Sequence, residues 1–311
     1  MRRACRVGGL IGALALPGFA YELTGRIEPA AALNVFLHGA TAPFESSTVS
    51  GADGRFRFGK VPAGTFTLGV RTAARGDLMR TVEVGAGTVD AKGRIEVEIR
   101  IDETGLETDG ARRPGATVSA AVLSIPERAM REYEEAQRCL ERSDTVCAAG
   151  RLQRAVKVAP RFSAAWNQLG TMAYQRRRYG DAEASFRKAL EADPEAFEPL
   201  VNLGGVLLNL GRPGEAVAYN QQAVARRPNS ALANSQLGLT WFELGDGGEA
   251  EKYLKAAIRL DPAHFSHPQL TLAEIYLQRG DRAKAVAVLR QFVELHPDAP
   301  ESAAIRREYK M

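Results

Sequence analysis

A fixed period of 34 residues dominates the second half of the sequence. Pro160, Pro194, Pro228 and Pro262 stand 34 residues apart, and Pro297 follows after 35. Because proline lacks a backbone N–H and stops a helix, each proline is expected to close one helical unit. A period of this length predicts stacked copies of one helix pair, since a single pair cannot bury its own apolar face.

The same small residues recur within each period. A glycine inside a helix costs about 1 kcal/mol relative to alanine, so we expect the second helix of a pair to approach the first closely at each glycine. Larger apolar residues such as Leu203 and Leu237 should fill the seams between copies. The recurring small residues are Gly170, Gly204 and Gly238 on the first helices and Ala148, Ala182, Ala216, Ala250 and Ala285 on the second.

The second copy resembles the tetratricopeptide repeat. It carries Trp166, Leu169, Gly170, Ala182, Phe186, Ala189 and Pro194 in the order and spacing of that family. The resemblance covers about residues 127 to 297 and implies about five helix pairs that stack as an α-solenoid. The first copy is the most divergent, and the fifth has one extra residue near Phe265. Residues 300 to 311 are expected to form a short polar capping helix.

Composition and charge argue against nucleic-acid binding. Hydrophobic residues make up 45% and charged residues 25% of the 311 residues, as in ordinary globular proteins, and the length predicts about two domains. Three of the 41 basic residues lie in the first 20 positions, so the remaining chain has 38 basic and 37 acidic residues. A nearly neutral chain lacks the electrostatic footprint of a nucleic-acid-binding protein.

Residues 1–20 have the layout of a secretory signal peptide. Arginines open the segment, an apolar run from Val7 to Ala20 follows, and Gly18 and Ala20 supply a small-x-small cleavage pattern. The run is broken by Pro17 and is shorter than the roughly 20 residues of a membrane span. We expect cleavage after Ala20, with an uncleaved anchor as the alternative. The sequence thus predicts an exported protein, periplasmic or secreted in a bacterial envelope, with no stable membrane span after cleavage.

Residues 21–125 alternate apolar and polar side chains in short runs. The clearest run places Ile95, Val97, Ile99 and Ile101 on one face, as in a half-buried strand. Seven or eight such strands in about 100 residues predict a two-sheet β-sandwich. The other candidate strands are 21–27, 32–38, 56–58, 66–70, 79–84 and 118–124.

The stretch GADGRFRFGKVPAGTFTLGV, from Gly51 to Val70, resembles the carboxypeptidase regulatory-like domain. That resemblance covers roughly residues 21–101. It implies a prealbumin-like, immunoglobulin-shaped sandwich without catalytic residues, of a kind often attached to secreted enzymes or outer-membrane receptors.

Three segments follow from these patterns: a signal peptide (1–20), an all-β sandwich (21–125) and an all-α repeat array (126–311). The polar, glycine-rich stretch 102–115 is expected to be a loop. A return strand just before Pro126 would hold the two domains together, and a flexible tether is the alternative.

In the tetratricopeptide family the first helices of the pairs line a concave groove. Transferred to this chain, those positions are mostly apolar with scattered amides, which favours an extended or helical apolar peptide over a charged tail. The alternative is that Leu208, Leu239 and Phe242 only pack between repeats. The candidate lining consists of Asn167, Thr171, Tyr174, Val201, Gly205, Leu208, Asn209, Ser235, Leu239, Phe242, Glu243, Leu270, Glu274 and Leu277.

Cysteine and histidine pairs are the remaining candidates for chemistry. Cys139 and Cys147 are a possible disulfide in an exported chain, but their spacing does not establish the geometry, and we favour two buried thiols. His264 and His267 lie three residues apart without further ligands nearby in the sequence. We therefore expect a loop there and not a metal site.

The sequence contains no Walker loop, no G-x-S-x-G and no H-E-x-x-H. We expect no catalytic residue and no cofactor. The favoured function is an exported, non-enzymatic adaptor that binds a protein or peptide partner in the repeat groove. The alternatives are a carbohydrate- or cell-wall-binding protein that acts through the sandwich, and an accessory subunit of an envelope enzyme or receptor complex. The sequence leaves the partner and the oligomeric state open.

Overall fold

The computed structural model describes residues 21–40, 42–72, 76–85, 87–101 and 125–310, and within these ranges seven strands precede eleven helices. The predicted signal peptide and the predicted strand 118–124 lie outside the described residues. The strands are β1 (Tyr21–Glu28), β2 (Asn34–Gly39), β3 (Glu45–Val49), β4 (Arg55–Val61), β5 (Gly64–Thr72), β6 (Gly76–Val84) and β7 (Arg94–Arg100). The helices are α1 (Glu127–Glu141), α2 (Thr145–Val158), α3 (Ser163–Gln175), α4 (Tyr179–Ala192), α5 (Phe197–Asn209), α6 (Pro213–Arg226), α7 (Ala231–Glu243), α8 (Gly247–Leu260), α9 (Pro268–Gln278), α10 (Arg282–Leu295) and α11 (Pro300–Tyr309).

The strands form two sheets, in the orders β4-β1-β7 and β3-β2-β5-β6. Strand β1 runs antiparallel to β4 and parallel to β7. The inner faces carry the alternating apolar residues found in the sequence, among them Leu23, Leu37, Phe56 and Leu68, and these side chains are buried together. The predicted two-sheet β-sandwich is therefore confirmed.

The four-stranded sheet has a polar outer face. Val82 and Val84 of β6 point into the sandwich core, so Thr81 and Glu83 point outward because side chains alternate along a strand. In register with them, Thr67 lies opposite Thr81 on β5. This outer face turns toward the helices, because Thr81 and Glu83 both contact residues of the repeat array.

The ten helices α1 to α10 form five pairs, and the glycines act as the sequence predicts. A Cβ atom on Gly170 would lie 2.5 Å from the ring of Phe186, and one on Gly238 would lie 2.8 Å from Leu254 Cγ. Both partners sit on the second helix of the same pair. The close approach of paired helices is confirmed, and with it the tetratricopeptide-like solenoid.

The fifth pair departs from the others at its start. Helices α3, α5 and α7 begin three residues after the preceding proline, whereas α9 begins at Pro268, six residues after Pro262. His267 precedes it with a left-handed backbone (φ 49°, ψ 56°). Beyond this pair, α11 buries Ser302 and Ile305, so a helix stands where the sequence predicts a short capping helix.

The expectation of two free thiols is wrong. Helix α1 ends at Glu141 and α2 begins at Thr145, and this short turn brings Cys139 and Cys147 to a Cα separation of 5.8 Å with their sulfur atoms bonded. The carboxylate of Asp144 caps α2 by accepting the backbone N–H of Cys147. The disulfide thus closes the turn of the least regular pair.

Candidate functional site

The fourteen candidate lining residues all lie on the first helices α3, α5, α7 and α9, and we call the surface of these helices the inner face. Their exposure differs sharply. Three are buried (Val201, Gly205 and Ser235), and four are exposed (Asn209, Glu243, Glu274 and Leu277). The other seven are half-buried, namely Asn167, Thr171, Tyr174, Leu208, Leu239, Phe242 and Leu270.

Four of these residues occupy one repeat position. Tyr174, Leu208, Phe242 and Leu277 recur at the 34-residue period, with one step lengthened by the extra residue in the fifth copy. Leu208 and Phe242 pack partly against the cores beneath them, and Leu277 is 41% exposed. We call this row the apolar stripe. Each pair from the second to the fifth contributes one member.

Polar side chains connect neighbouring first helices beside the stripe. The amide of Asn202 donates to Asn167 Oδ1 at 3.1 Å, and the amide of Asn209 donates to the hydroxyl of Tyr174 at 3.2 Å. Burial raises the pKa of Tyr174 above its ordinary value, because the charged phenolate would lose its hydration there. These bonds fix the spacing of α3 and α5.

The sandwich borders the inner face. Gln175, one residue after the stripe member Tyr174, donates from its amide to the backbone oxygen of Gly39 at 3.2 Å. Glu45 lies near Glu141 at the end of α1, and burial, followed by the charge of Glu141, raises the pKa of Glu45 to about 7. The sandwich therefore contacts the first two pairs through the end of β2 and the start of β3.

A second set of contacts joins the sandwich to the far end of the array. The backbone N–H and the hydroxyl of Thr81 both donate to Asp261 Oδ2, at 3.1 and 2.7 Å. Asp261 is only 4% exposed and stands directly before Pro262. The two domains therefore dock on each other through these contacts.

Next to Thr81, Glu83 faces two histidines. Its Oε1 lies 3.2 Å from Nδ1 of His296, and the His267 ring centroid lies 4.5 Å from that of His296. The hydrogen bond with His296 lowers the pKa of Glu83, while burial lowers the pKa of His267 to about 4. Sequence reasoning missed this cluster because Glu83 lies 184 residues before His267 and His296 lies 29 residues after it.

None of the described helices combines the length and the apolar character that crossing a bilayer requires. The fold is a superhelical array of paired helices with an N-terminal sandwich. Two family models described as tetratricopeptide repeat match it, one over residues 242–309 and the other over 147–197 and 201–265. The chain belongs to the tetratricopeptide-repeat family.

Solved structures share the helical fold. MamA (residues 41 to the end) from Desulfovibrio magneticus RS-1 is 22% identical, with a TM-score of 0.50, and covers 57% of this chain and 99% of its own. PilW, a type IV pilus biogenesis factor, is 23% identical, with a TM-score of 0.51 and coverages of 59% and 91%. PilF from Pseudomonas aeruginosa is 20% identical, with a TM-score of 0.51 and coverages of 59% and 85%. No curated protein sequence matches the chain.

Proposed function

We propose that this chain is an exported, non-enzymatic scaffold whose inner face binds an apolar segment of a protein partner. The apolar stripe carries the proposal. It repeats one large apolar side chain per helix pair, and at Leu277 that side chain is 41% exposed. If these four side chains only packed between helix pairs, the position would not need an apolar residue where it reaches solvent, as it does at Leu277.

Polar residues beside the stripe suit the backbone of such a segment. Asn209 and Glu243 occupy the same repeat position, one residue after Leu208 and Phe242, and both are exposed. The amide oxygen of Asn209 and the carboxylate of Glu243 can accept hydrogen bonds from the N–H groups of an extended peptide, while alternate apolar side chains reach the stripe. Val201, Gly205 and Ser235 are buried, so we assign them to packing between pairs and not to the binding surface.

Export is supported by two features. The leader ends in a cleavage pattern before Tyr21, and the disulfide between Cys139 and Cys147 persists in oxidising compartments. Expression of the full gene product in a bacterium, followed by intact-mass measurement, should give a chain that begins at Tyr21. A chain that retains residues 1–20 in the cytoplasm would contradict export without affecting the binding proposal.

The binding surface is tested by photo-crosslinking in the native envelope. A photoreactive residue at Leu277 should crosslink one recurrent partner segment, and the same residue at Ala184 on the second helix α4 should not. Replacing Leu208, Leu239 and Phe242 by serine should reduce that crosslink at least about tenfold, as for loss of buried binding anchors.

A matched control replaces Leu210 and Leu244, which are exposed leucines just after the first helices. This control should leave the crosslink unchanged. Equal loss in both variants, or retention in the triple variant while circular dichroism confirms folding, would refute the inner face as the binding surface. The sugar-binding alternative gains no support from Phe56, Phe58 and Phe66, because all three lie in the sandwich core.

A further inference from the structure

We propose that Glu83, His267 and His296 form a binding site for one divalent transition-metal ion of the zinc type, at the junction between the sandwich and the last helix pair. One ligand atom from each of the three residues lies within 4.8 Å of the others. Two imidazoles with one carboxylate are a donor set that suits Zn²⁺ and its first-row neighbours.

The spacing of the donors fits a tetrahedral ion. Glu83 Oε1 and His296 Nδ1 are 3.2 Å apart, and two ligands at about 2.0 Å from a tetrahedral ion lie about 3.3 Å apart. The ring centroids of His267 and His296 lie 4.5 Å apart, and a ring nitrogen of His267 lies within 4.8 Å of the other two donors, so this third donor has to move closer to reach the tetrahedral spacing. The three side chains occupy three corners, and a water molecule or a partner ligand would complete the fourth.

His296 is buried and incompletely hydrogen-bonded. Its side chain is only 1% exposed, and its Nε2 has no hydrogen-bond partner among the residues that the structure describes. A buried polar atom without a partner costs roughly 1–3 kcal/mol. Coordination by Nδ1 beside Glu83 leaves the proton of the neutral imidazole on Nε2, so Nε2 is not itself a ligand of the ion.

The backbone at His267 is held in an uncommon conformation. Its φ of 49° lies in the left-handed region, which is uncommon for residues other than glycine, although histidine adopts it more often than most. It lies in the one turn that departs from the repeat period, between Pro262 and Pro268, and this departure is what places His267 beside His296.

Surrounding charges also favour a cation. The carboxylate of Glu301 acts on His267 from α11 in addition to Glu83 from the sandwich. Two nearby carboxylates offset the charge of a divalent ion, which would otherwise be costly to bury. Because Glu83 belongs to the sandwich and both histidines to the repeats, a bound ion would lock the sandwich onto the array.

The test uses the full mature chain, freed of any histidine tag and treated with chelator. Isothermal titration with Zn²⁺ should give saturable binding of one ion per chain, and Co²⁺ should give the visible absorption of a tetrahedral complex. Saturating Zn²⁺ should also raise the melting temperature, since an ion that binds only the folded state stabilises it.

Glu83→Gln and His267→Ala should each weaken Zn²⁺ binding at least about tenfold. His38→Ala, a histidine of the same sandwich outside the cluster, should leave it unchanged. Melting curves in chelator check that each variant is folded. Absence of saturable Zn²⁺ binding, or equal affinity in the wild type and both cluster variants, would overturn the site and would show that Glu83 and His296 form only a domain contact.

Discussion

The three middle helix pairs of the array follow the 34-residue period closely, whereas the first and fifth pairs depart from it. In the pairs α3–α4, α5–α6 and α7–α8 the 34-residue period sets each contact, and small residues on one helix face large residues on the next. The first pair lacks the repeat glycine and carries the disulfide, and the fifth pair starts late at Pro268. Both divergent pairs contact the sandwich, the first near Glu45 and the fifth through His296.

The difference indicates how departures from a repeat should be interpreted. A terminal repeat is free of one neighbour and can exchange consensus residues for contacts with another domain. In this chain the sandwich docks on the array at several places. Glu45 lies near the first pair, Thr81 contacts the turn between the fourth and fifth pairs, and Glu83 contacts His296 after the fifth. Substitutions inside the regular pairs test the packing that the 34-residue period determines. Substitutions at the sandwich contacts test interactions that do not follow from the period.

The largest effect is expected from Phe186, in the most regular pair. It is 1% exposed and covers Gly170 of the facing helix, and truncation of a buried phenylalanine costs about 3–5 kcal/mol. Phe186→Ala should therefore reduce the free energy of unfolding by that amount in urea titrations followed by circular dichroism. Glu191→Ala, an exposed change on the same helix, should be close to neutral. A loss below about 1 kcal/mol for Phe186→Ala would contradict the packing rule for the middle pairs.

Asp261 allows a direct comparison of a regular and an irregular junction. It stands before Pro262 as Asp193 stands before Pro194, but only Asp261 accepts the two hydrogen bonds from Thr81. Hydrogen bonds to a buried charged group contribute about 1.5–3 kcal/mol. Asp261→Ala should lower the stability of the docked chain by that amount in thermal unfolding.

The matched control for this change is Asp193→Ala, which removes only a local bond to the backbone of Glu195. We expect that control to cost less than about 1 kcal/mol, as is usual for an exposed turn. Limited proteolysis of the chain should also accelerate in Asp261→Ala and not in Asp193→Ala. If both variants lose the same stability and are cleaved at the same rate, the hydrogen bonds from Thr81 do not make the Asp261 junction more important than the Asp193 junction.

Gly204 tests the close approach of helices inside the third pair. A Cβ atom at this position would overlap the side-chain amide of Asn220, which is fully buried and donates to Thr240 at 2.9 Å. Gly204→Ala should cost about 1–3 kcal/mol by overpacking. Gly214→Ala, in the first turn of α6 with no atom within 4 Å of the new Cβ, should be neutral or stabilising by up to about 1 kcal/mol. If both alanines stabilise the chain in urea titrations, the helices do not pack as closely as described.

Most of the fold could be predicted because it follows from local periodicity. The spacing of Gly170 and Phe186 determines a helix pair, and the alternation around Phe56 and Leu68 determines strands with one buried face. Strand β3 was not predicted, since its residues Glu-Ser-Ser-Thr-Val lack an apolar alternation and it forms the edge of its sheet. Edge strands of this kind are defined by pairing with a neighbour and not by their own pattern.

The site was only partly predictable for the same reason. Stripe positions such as Leu208 and Phe242 follow from the repeat, so the sequence places them on one face. The disulfide depends on how tightly one turn closes, and the Glu83 cluster depends on how two domains dock. Neither property has a local signal; the only indication was the extra residue near His267.

The smallest effect is expected at the contact between the sandwich and the first pair, and it appears in the pH dependence of stability. Glu45 has a folded-state pKa of about 7 in place of the usual 4.5, chiefly because of burial, although His38 Nδ1 lies 3.6 Å away. Between these two values the folded chain holds a proton that the unfolded chain releases. The unfolded state therefore binds fewer protons, and stability must fall as pH rises from about 4.5 to 7.

Glu45→Gln removes this titration without changing the size of the side chain. The variant should match the wild type near pH 4.5 and be more stable at pH 8. The full rise in pKa corresponds to roughly 3 kcal/mol, and we expect on the order of 1 kcal/mol because Glu45 is partly exposed and lies beside His38. Urea titrations at both pH values measure the difference. Glu96→Gln, an exposed change on β7, should follow the wild type at both. A variant that is less stable than the wild type at pH 8 would mean that Glu45 is ionised and favourably paired, and that the sandwich docks on the first pair differently from the way it docks on the last.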